Sequence, residues 1–560
     1  MKLWDRMLET LVAIYPAAAG CIDAEGAYRD ESGKKQIYNQ CTGLYFAVLY
    51  TCEDERNPYY HDPRTLELAI RCWEFYYTLT RENGMTQIIT YDQYWHDQYE
   101  EWDTLHWLTT LELLEGELPP ELVARWRERC YASCEGLAQK IRADYASGVI
   151  TEELKEHGVA NHYLWEVVCA YRYGLRTGDE ALCDFCGEVM EACAAGQHPA
   201  GTWLEGGSLV VGYCHVSYGA LALFCALSER RYPKCVEAAR RCTHYLLNCY
   251  YEGCRYTATF DTRQRYKELP GQTGGSAYIP SALLDDTEQR YYASLAVEGM
   301  WEAPEIGTVH QLLGYYLQNF LTMPRDAEML LEPEAPYQES DFSIPDMRAR
   351  MRRCGDWVVP MCCHSQQVEN RRWILERMNL FSVYRLGVGE IVGGGNSTST
   401  PHLASIEVIE RGRSCYLPED GELTEDGMTY RCNGARCEIR FTLTEEEVLV
   451  NYRIDGLSEL GKAYVHIPLF AANSDSIELG GAGYPIEEGG YVSCALAAGE
   501  RAVHRGVTLT ADRPLVFTYP ENGFNPYLQK QAPTKKEGYA VLTCELDYAR
   551  NDLCLRIQMD

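Results

Sequence analysis

The stretch that decides the fold is CEIRFTLTEEEVLVNYRI, residues 437–454. Apolar and polar residues alternate in it, and the apolar ones are Cys437, Ile439, Phe441, Leu443, Val448, Val450 and Tyr452. A period of two is typical of β-strands that bury one face. Similar short runs, separated by turns that contain Gly and Pro, continue to the C-terminus. Residues 341–560 are therefore predicted to form an antiparallel β-sandwich.

The chain before this region has a different periodicity. Apolar residues recur there at three- and four-residue spacing, which indicates amphipathic helices. The predicted helices cover 2–17, 40–53, 64–82, 102–115, 119–144, 161–176, 179–195, 208–228, 233–249 and 307–321. No fixed-length repeat typical of a solenoid appears among them. The prediction is an α+β multidomain protein in which an (α/α) toroid of helix pairs, residues 1–340, precedes the β-sandwich, residues 341–560.

Length and charge narrow the function. The chain has 560 residues, which exceeds the roughly 250–300 residues at which a single core stops growing. Its net charge of -31 argues against nucleic acid and anionic membrane as partners, because both require a basic surface. Asp5, Arg6 and Glu9 interrupt the apolar run that a signal peptide would need. We therefore expect a cytoplasmic protein with no membrane partner; a homo-oligomer is compatible with the sequence.

The 25 cysteines are expected to be reduced in such a compartment. Cys183-Asp-Phe-Cys186 has the spacing of half a zinc site, but the segment is typical of a helix interior and no second such pair follows. Neither a metal nor a cofactor is predicted.

The aromatic composition favours a carbohydrate ligand. The chain has 42 Tyr and 11 Trp against 12 Phe, and rings with a polar group can stack on sugar faces while they hydrogen-bond hydroxyls. Packing between helices would account for many of them equally well. In ITYDQYWHDQYEEWD, residues 89–103, we predict that Trp95 and Asp103 bind substrate.

Two helix starts carry groups that transfer protons. Asn161-His162 opens a predicted helix, where the amide could neutralise a carboxylate while the imidazole exchanges a proton. In GTWLEGGSLVVGYCHVSYGALAL, residues 201–223, proton-transfer and aromatic groups precede an apolar run, namely Trp203, Glu205, His215 and Tyr218. Helix capping and solvent-facing polar residues are the alternative interpretations.

Two further segments are candidates. Arg263, in FDTRQRYKE at 260–268, could bind a carboxylate or sulfate by a guanidinium fork, although a solvated charge run would look the same. In VGGGNSTSTPHLASIEV, residues 392–408, three glycines allow close backbone approach, and Asn396 and His402 lie between two β-like runs. A tight hairpin is the alternative there.

Together these features resemble the heparinase II/III-like and alginate-lyase-like polysaccharide lyases, which join a helical toroid to a β-sandwich. Exo-acting alginate lyases of that type have an Asn-His pair followed by a catalytic Tyr, and Tyr218 follows Asn161-His162 at a similar separation. The resemblance implies Asn161, His162, Tyr218 and a His of the β region as catalytic residues.

The β region departs from the pattern of those lyases. The family motif Gly-Gly-Gly-His-Gly-His-x-Asp is replaced by Gly393-Gly394-Gly395-Asn396, so that His402 and His364 are offered as replacements, without zinc.

The predicted reaction is β-elimination at a uronic acid, acting on short oligosaccharides. Asn161, aided by Arg263, would mask the carboxylate, and Tyr218 with His162 would move the protons. Two alternatives stay open. One is a glycoside hydrolase using paired carboxylates such as Asp103 and Glu205; the other is a non-catalytic carbohydrate-binding protein.

Overall fold

A computed structural model of the chain describes residues 1–30, 32–261, 277–302, 312–364, 380–393, 401–472, 475–487, 490–521 and 537–560. Arg263 and Asn396 lie outside the described residues. The chain divides into two units. The helical unit comprises Met1–Glu205, Tyr213–Tyr245 and Gly274–Ala335; the β unit comprises Gly206–Gly212, Leu246–Thr273 and Pro336–Asp560.

The structure has the predicted helices, each within a few residues of its expected bounds where it is described, and two more that were not predicted, Val149–Lys155 and Thr287–Glu302. They are α1 (Leu3–Ala13), α2 (Tyr15–Gly20), α3 (Thr42–Thr51), α4 (Pro63–Leu79), α5 (Glu101–Leu114), α6 (Pro120–Ala146), α7 (Val149–Lys155), α8 (Asn161–Thr177), α9 (Glu180–Ala195), α10 (Val211–Leu227), α11 (Pro233–Cys249), α12 (Thr287–Glu302) and α13 (Leu312–Thr322). A two-stranded hairpin, β1 (Thr86–Thr90) and β2 (Gln93–Gln98), precedes α5.

The helical unit closes on itself. Helix α3 packs on α5, α5 packs on α8, and α13 returns to pack on both α3 and α5. Trp4 of α1 stacks on Phe320 of α13 with ring centroids 5.1 Å apart. The backbone N–H of Leu3 donates to the carbonyl of Ala327 at 2.9 Å. First and last helices are thus neighbours, as an (α/α) toroid requires.

In its described residues, the β unit has three large antiparallel sheets and one two-stranded sheet. Its strands are β3 (Tyr250–Glu252), β4 (Arg255–Tyr256), β5 (Asp341–Ile344), β6 (Ala349–Cys354), β7 (Trp357–Cys362), β8 (Leu380–Phe381), β9 (Val383–Arg385), β10 (Gly389–Val392), β11 (Ile406–Glu410), β12 (Arg413–Cys415), β13 (Asp420–Thr424), β14 (Gly427–Cys432), β15 (Ala435–Leu443), β16 (Glu447–Asp455), β17 (Lys462–Ala472), β18 (Ser476–Leu479), β19 (Ala482–Pro485), β20 (Val492–Leu496), β21 (Arg501–His504), β22 (Val507–Ala511), β23 (Leu515–Glu521), β24 (Glu537–Asp547) and β25 (Asp552–Met559). The sheet orders are β10-β9-β7-β6-β5 with β8 beside β7, β12-β11-β17-β24-β23-β20, and β13-β14-β15-β16-β25-β22-β21-β18-β19. The short pair β3 and β4 stands apart from them.

One apolar core serves all three sheets. It contains Val359 of the first sheet, Val465 of the second and Ile439 of the third, each fully buried. Residues 437–454 lie in β15 and β16 and the turn between them, and Phe441 pairs with Val450. Their buried positions alternate as expected. The α+β fold class, with an (α/α) toroid followed by an antiparallel β-sandwich, is confirmed.

The second unit begins at Pro336, a few residues before the predicted boundary at 341, and it also includes 206–212 and 246–273. No helix among the described residues combines the length and the hydropathy that crossing a bilayer requires.

Candidate active site

The start of α5 is organised by a buried carboxylate. Glu100 accepts hydrogen bonds from the backbone N–H groups of Trp102 at 3.1 Å and Asp103 at 2.7 Å. It is the N-cap of the helix, and it satisfies amides that a helix start leaves unpaired. Burial, and then the charge of Glu101, raise the pKa of Glu100 to about 8. Because Glu100 caps the helix, the next carboxylate, Glu101, is available to another partner.

That partner is His162, and we call the pair the Glu101–His162 dyad. The Nδ1 atom of His162 lies 2.5 Å from Oε1 of Glu101. The Glu101 side chain is 2% exposed, whereas the imidazole is 48% exposed. With a carboxylate at Nδ1, the neutral ring carries its proton there, and Nε2 becomes the basic atom. Glu101 therefore holds the imidazole from the buried side, and Nε2 on the accessible side can accept a proton.

The electrostatics of the dyad favour the protonated imidazole. Burial acts to lower the pKa of His162, but the hydrogen bond and the charge of Glu101 outweigh it, and the pKa is raised above its ordinary value. Histidine is the side chain whose ordinary pKa lies within the physiological pH range. It can act as a base after it has lost its proton and as an acid while it holds it.

A second ion pair lies one helical turn further along α8. The Nζ atom of Lys140 donates to the two carboxylate oxygens of Glu166 at 2.8 and 3.0 Å. Burial and then the charge of Glu101 raise the pKa of Glu166 to about 7, although Lys140 partly offsets them. Asn161, the first residue of α8, is 4% exposed. The amide of Asn161 and the imidazole of His162 thus lie in the first turn of α8, and the Lys140 ammonium group of α6 contacts the next turn at Glu166.

Aromatic side chains form one wall beside the dyad. The Trp102 ring lies 4.8 Å from the His162 ring at an angle of 42°. Tyr38 meets Trp102 edge-on at 5.8 Å. Burial, followed by the charges of nearby carboxylates, raises the pKa of Tyr38. Its hydroxyl therefore stays neutral at the pH of the cell and is a hydrogen-bonding group rather than a base.

Tyr218, predicted as the proton-transfer residue, is a core side chain. It is fully buried, and its hydroxyl lies 2.7 Å from Oγ1 of Thr243 and donates to Gln289 at 3.4 Å. Its ring meets Tyr292 at 5.4 Å. Burial raises its pKa well above the ordinary value, the opposite of what a base requires. The structure does not support a catalytic role for Tyr218.

Another tyrosine on the same helix is better placed. Trp165 donates from Nε1 to the carbonyl of Val216 at 3.0 Å, which joins α8 to α10. The segments that lead into the two helices form a parallel bridge at Gly158 and Leu204, so both helices start at the same end. Tyr213 precedes Val216 by about one turn, as Asn161 precedes Trp165. Tyr213 is half-buried, and this register places it near the same end of its helix as Asn161.

Several predicted substrate-binding residues of the helical unit are buried instead. Asp103 and His215 are fully buried. Trp203 is 3% exposed and donates from Nε1 to the carbonyl of Cys193 at 3.0 Å, so it packs in the core. For Asp103, burial and then the charge of Glu100 raise the pKa well above its ordinary value. The structure therefore places Trp203, His215 and Asp103 in the core of the helical unit.

Glu205 and Trp95 remain accessible in the structure. Glu205 is half-buried, and Trp95 is 52% exposed on β2.

In the β unit, His402 is half-exposed and its Nδ1 lies 2.9 Å from Oε1 of Glu521. Its ring lies 5.1 Å from that of the buried His466. His364, offered as the other replacement, is 8% exposed. Neither the predicted Asn396 nor Arg263 can be placed, since both are outside the described ranges.

Within those ranges, no group of three or more His, Cys, Asp or Glu side chains is arranged to hold a metal ion. Cys183 and Cys186 are buried in the interior of α9.

Comparisons by sequence found no relative: no protein-family model matches the chain, and no curated protein matches it. Solved structures do match. The Paenibacillus xanthan lyase aligns with 99% of this chain and 57% of its own length, at a TM-score of 0.56 and 9% identity. This chain thus spans 57% of the length of that lyase.

Two chondroitin lyases show the same similarity. The Streptomyces coelicolor A3 chondroitin AC lyase in complex with chondroitin sulphate aligns over 99% of this chain and 79% of its own, at a TM-score of 0.54 and 11% identity. A chondroitinase AC lyase solved with oligosaccharides aligns over 100% of this chain and 82% of its own, at a TM-score of 0.52 and 9% identity. This chain shares their fold. The finer assignment to the heparinase II/III-like group stays a prediction.

Proposed function

We propose that this protein is a polysaccharide lyase that cleaves a uronic-acid-containing glycan by β-elimination, and that His162 is the base. The observation that carries the proposal is the Glu101–His162 dyad, a half-exposed imidazole held by a buried carboxylate at 2.5 Å. Its presence in a chain with the fold of xanthan and chondroitin lyases supports that chemistry. Fold alone would not, because one fold hosts many activities.

The reaction has requirements that these side chains can meet. A C5 proton next to a carboxylate becomes removable when the carboxylate's charge is masked, and Asn161 is the neighbouring hydrogen-bond donor for that role. Nε2 of His162 takes the C5 proton, the C5–H electrons form the C4–C5 double bond, and the C4–O bond breaks. The leaving oxygen takes a proton from an acid, for which Tyr213 is the candidate. Glu101 is a positioning residue that holds the ring and stabilises its positive charge.

The predicted hydrolase is the weaker alternative. Of the carboxylates available to it, Asp92, Asp97, Asp103 and Glu205, Asp103 is fully buried, and burial raises the pKa of its carboxyl well above the ordinary value. A general acid must reach the glycosidic oxygen, and a core carboxyl cannot do so without opening the helical unit.

The test is product chemistry. Purified protein is incubated with chondroitin sulphate, xanthan and oligouronides, and ultraviolet absorbance of the unsaturated uronate is followed beside an assay of reducing ends. The proposal expects both signals to rise together with at least one of these glycans. New reducing ends without the absorbance would show hydrolysis and overturn it, and so would the absence of any product.

A further inference from the structure

An open cavity of about 580 Å³ lies in the β unit, between the corner that joins β5 to β6 and the outward face of β13, β14 and β15. Arg348 lines it from the corner. The strands contribute Asp420, Glu422, Thr429, Arg431 and Arg436. Its volume is within the roughly 300–1,000 Å³ of pockets that take small molecules. All of the lining residues belong to the β unit, so the cavity is a property of that unit alone.

The strand register brings the lining side chains of the sheet together. Arg431 of β14 pairs with Asp420 of β13 on one side and with Arg436 of β15 on the other. In the neighbouring row, Thr429 pairs with Glu422. Paired residues on adjacent strands have Cβ atoms about 5 Å apart, and residues two positions apart in a strand point to the same face. Two guanidinium groups, two carboxylates and a hydroxyl therefore share one small area of the sheet.

The corner is held against these strands by contacts that involve the backbone. Arg350 donates from Nη1 to the carbonyl of Thr424, the last residue of β13, at 2.9 Å. The backbone N–H of Cys363 donates to the carbonyl of Arg348 at 3.0 Å. A Cβ added at Gly421 of β13 would lie 2.6 Å from the carbonyl oxygen of Cys363, so the two backbones are packed closely. The cavity is therefore formed before any ligand binds, which lowers the cost of binding.

The guanidinium groups of the cavity differ in how well their charge is matched. Arg431 donates from Nε to Asp420 at 2.7 Å. Arg436 lies 3.8 Å from its carboxylate partner Glu438, which is too long for a hydrogen bond. Arg348 is half-buried and has no ion pair with a carboxylate among the described residues. Because burying an unpaired cation is unfavourable, an anionic group bound beside Arg348 would stabilise it.

We propose that this cavity binds a small sugar acid, a hydroxylated molecule of one or two rings with a carboxylate or sulphate group. Arg348 holds the anionic group, since a guanidinium donates two parallel hydrogen bonds to such a group. Glu422 and Thr429 accept hydrogen bonds from hydroxyls. Inorganic sulphate supplies no hydroxyl donors and is repelled by Glu422, so the ligand needs both features. The cavity shares no residue with the Glu101–His162 dyad, so binding here does not depend on the lyase reaction.

The experiment is a calorimetric titration of the full chain. The probes are glucuronate and N-acetylglucosamine 6-sulphate, beside glucose and inorganic sulphate, which each have only one of the two features. The wild type should bind the two sugar acids about tenfold or more tightly than it binds glucose or inorganic sulphate. Arg348→Asn should weaken sugar-acid binding on the order of tenfold or more, because the charged hydrogen bonds are lost. Glu422→Gln should reduce the preference for a sugar acid over inorganic sulphate.

The matched control is Arg411→Asn. Arg348 and Arg411 both have a φ of 50°, a left-handed conformation that Asn tolerates, so the two variants have similar effects on the backbone. Arg411 does not line the cavity, and its variant should bind sugar acids as the wild type does. Equal melting temperatures of the variants and the wild type confirm that folding is intact.

The proposal is overturned if the wild type binds neither sugar acid, if Arg348→Asn binds them as tightly as the wild type, or if inorganic sulphate binds equally well. Binding that is lost in His162→Gln but kept in Arg348→Asn would place the ligand at the dyad and also overturn it. If the wild type forms no unsaturated product, the proposed function fails, and the difference between Arg348→Asn and Arg411→Asn still decides the cavity.

Discussion

At the level of single residues, the Glu101 carboxylate decides what His162 can do. Its hydrogen bond and charge raise the imidazole pKa against the effect of burial. Since the base must be neutral, activity should rise with pH through a pKa above the ordinary 6.5. Glu101→Gln removes the charge, so the acid limb of the kcat/KM profile should move to lower pH, with kcat reduced on the order of tenfold.

The control for that variant is Glu288→Gln. Glu288 pairs with His244 at 2.8 Å in the same unit. The variant therefore removes a similar pair that is not part of the dyad. An acid limb that stays in place in Glu101→Gln would contradict the assignment of His162 as the base.

The two tyrosines of α10 can be separated by removing one oxygen from each. Tyr213→Phe should lower kcat strongly, because the acid for the leaving oxygen is lost. Tyr218→Phe loses buried hydrogen bonds to Thr243 and Gln289. It should cost about 1 kcal/mol of unfolding free energy with kcat retained. Steady-state rates and chemical denaturation of both variants give the answer, and the reverse result would restore Tyr218 as the catalytic residue.

The sequence predicted part of the site. Asn161 and His162 stood out because they open a helix after a break. Glu101 did not stand out, because the run Glu100-Glu101-Trp102-Asp103 contains three carboxylates that the sequence does not distinguish. In the fold, Glu100 caps α5, Glu101 pairs with His162, and Asp103 is a buried acid. Tyr218 was chosen by its separation from His162, which does not reveal which side of α10 faces the core.

At the level of elements, the segment that carries Glu101 depends on a glycine in α6. A Cβ added at Gly136 would lie 2.0 Å from Cε1 of Tyr99, two residues before Glu101. Gly136→Ala should therefore displace the ring, destabilise the helical unit by about 1–3 kcal/mol and lower kcat. Gly116→Ala, where nothing lies within 4 Å of the added Cβ, is the control. Equal melting temperatures and rates in the two variants would show that the segment tolerates the shift.

Most of the long elements were predictable from the sequence. Helix α12, whose buried positions include Gln289 and Ser294, and the short elements were not. Apolar residues spaced three and four positions apart predicted α3 to α6 and α8 to α11. Apolar residues at every second position predicted β15 and β16. Helix α7 has one buried residue, Ile150, and so shows no apolar stripe. The hairpin of β1 and β2 was not predicted, because its Tyr91-Asp92 turn lacks the Gly or Asn that is typical of such turns.

At the level of the whole molecule, stability should depend on pH through the buried acids of the helical unit. The folded-state pKa values of Glu100, about 8, and Glu166, about 7, lie above those of an unfolded chain. Folding therefore favours their protonated forms, and that contribution is fully present below the unfolded-chain pKa of 4.5 and is lost progressively as pH rises to 7 to 8. The melting temperature should fall between about pH 5 and about pH 8.

Glu100→Gln should reduce that fall, since one of the titrating acids is gone. Calorimetric melts of both proteins at several pH values measure it. A wild-type melting temperature that increases over this range would contradict the burial of these carboxyls.

The overall organisation of the chain was only partly predictable from the sequence. The change of periodicity predicted two regions, but the contacts that close the toroid, such as Leu3 with Ala327, join residues far apart in sequence. Likewise, the assignment of 206–212 and 246–273 to the β unit leaves no mark in local composition.

The central claim is that His162 removes the proton during elimination, and the most direct measurement is the rate of unsaturated-uronate formation by His162→Gln beside His244→Gln. Both variants remove an imidazole paired to a glutamate in the helical unit. The account predicts that His162→Gln loses on the order of a hundredfold or more in kcat while His244→Gln stays close to the wild type. A His162→Gln protein that forms unsaturated product at the wild-type rate would contradict it.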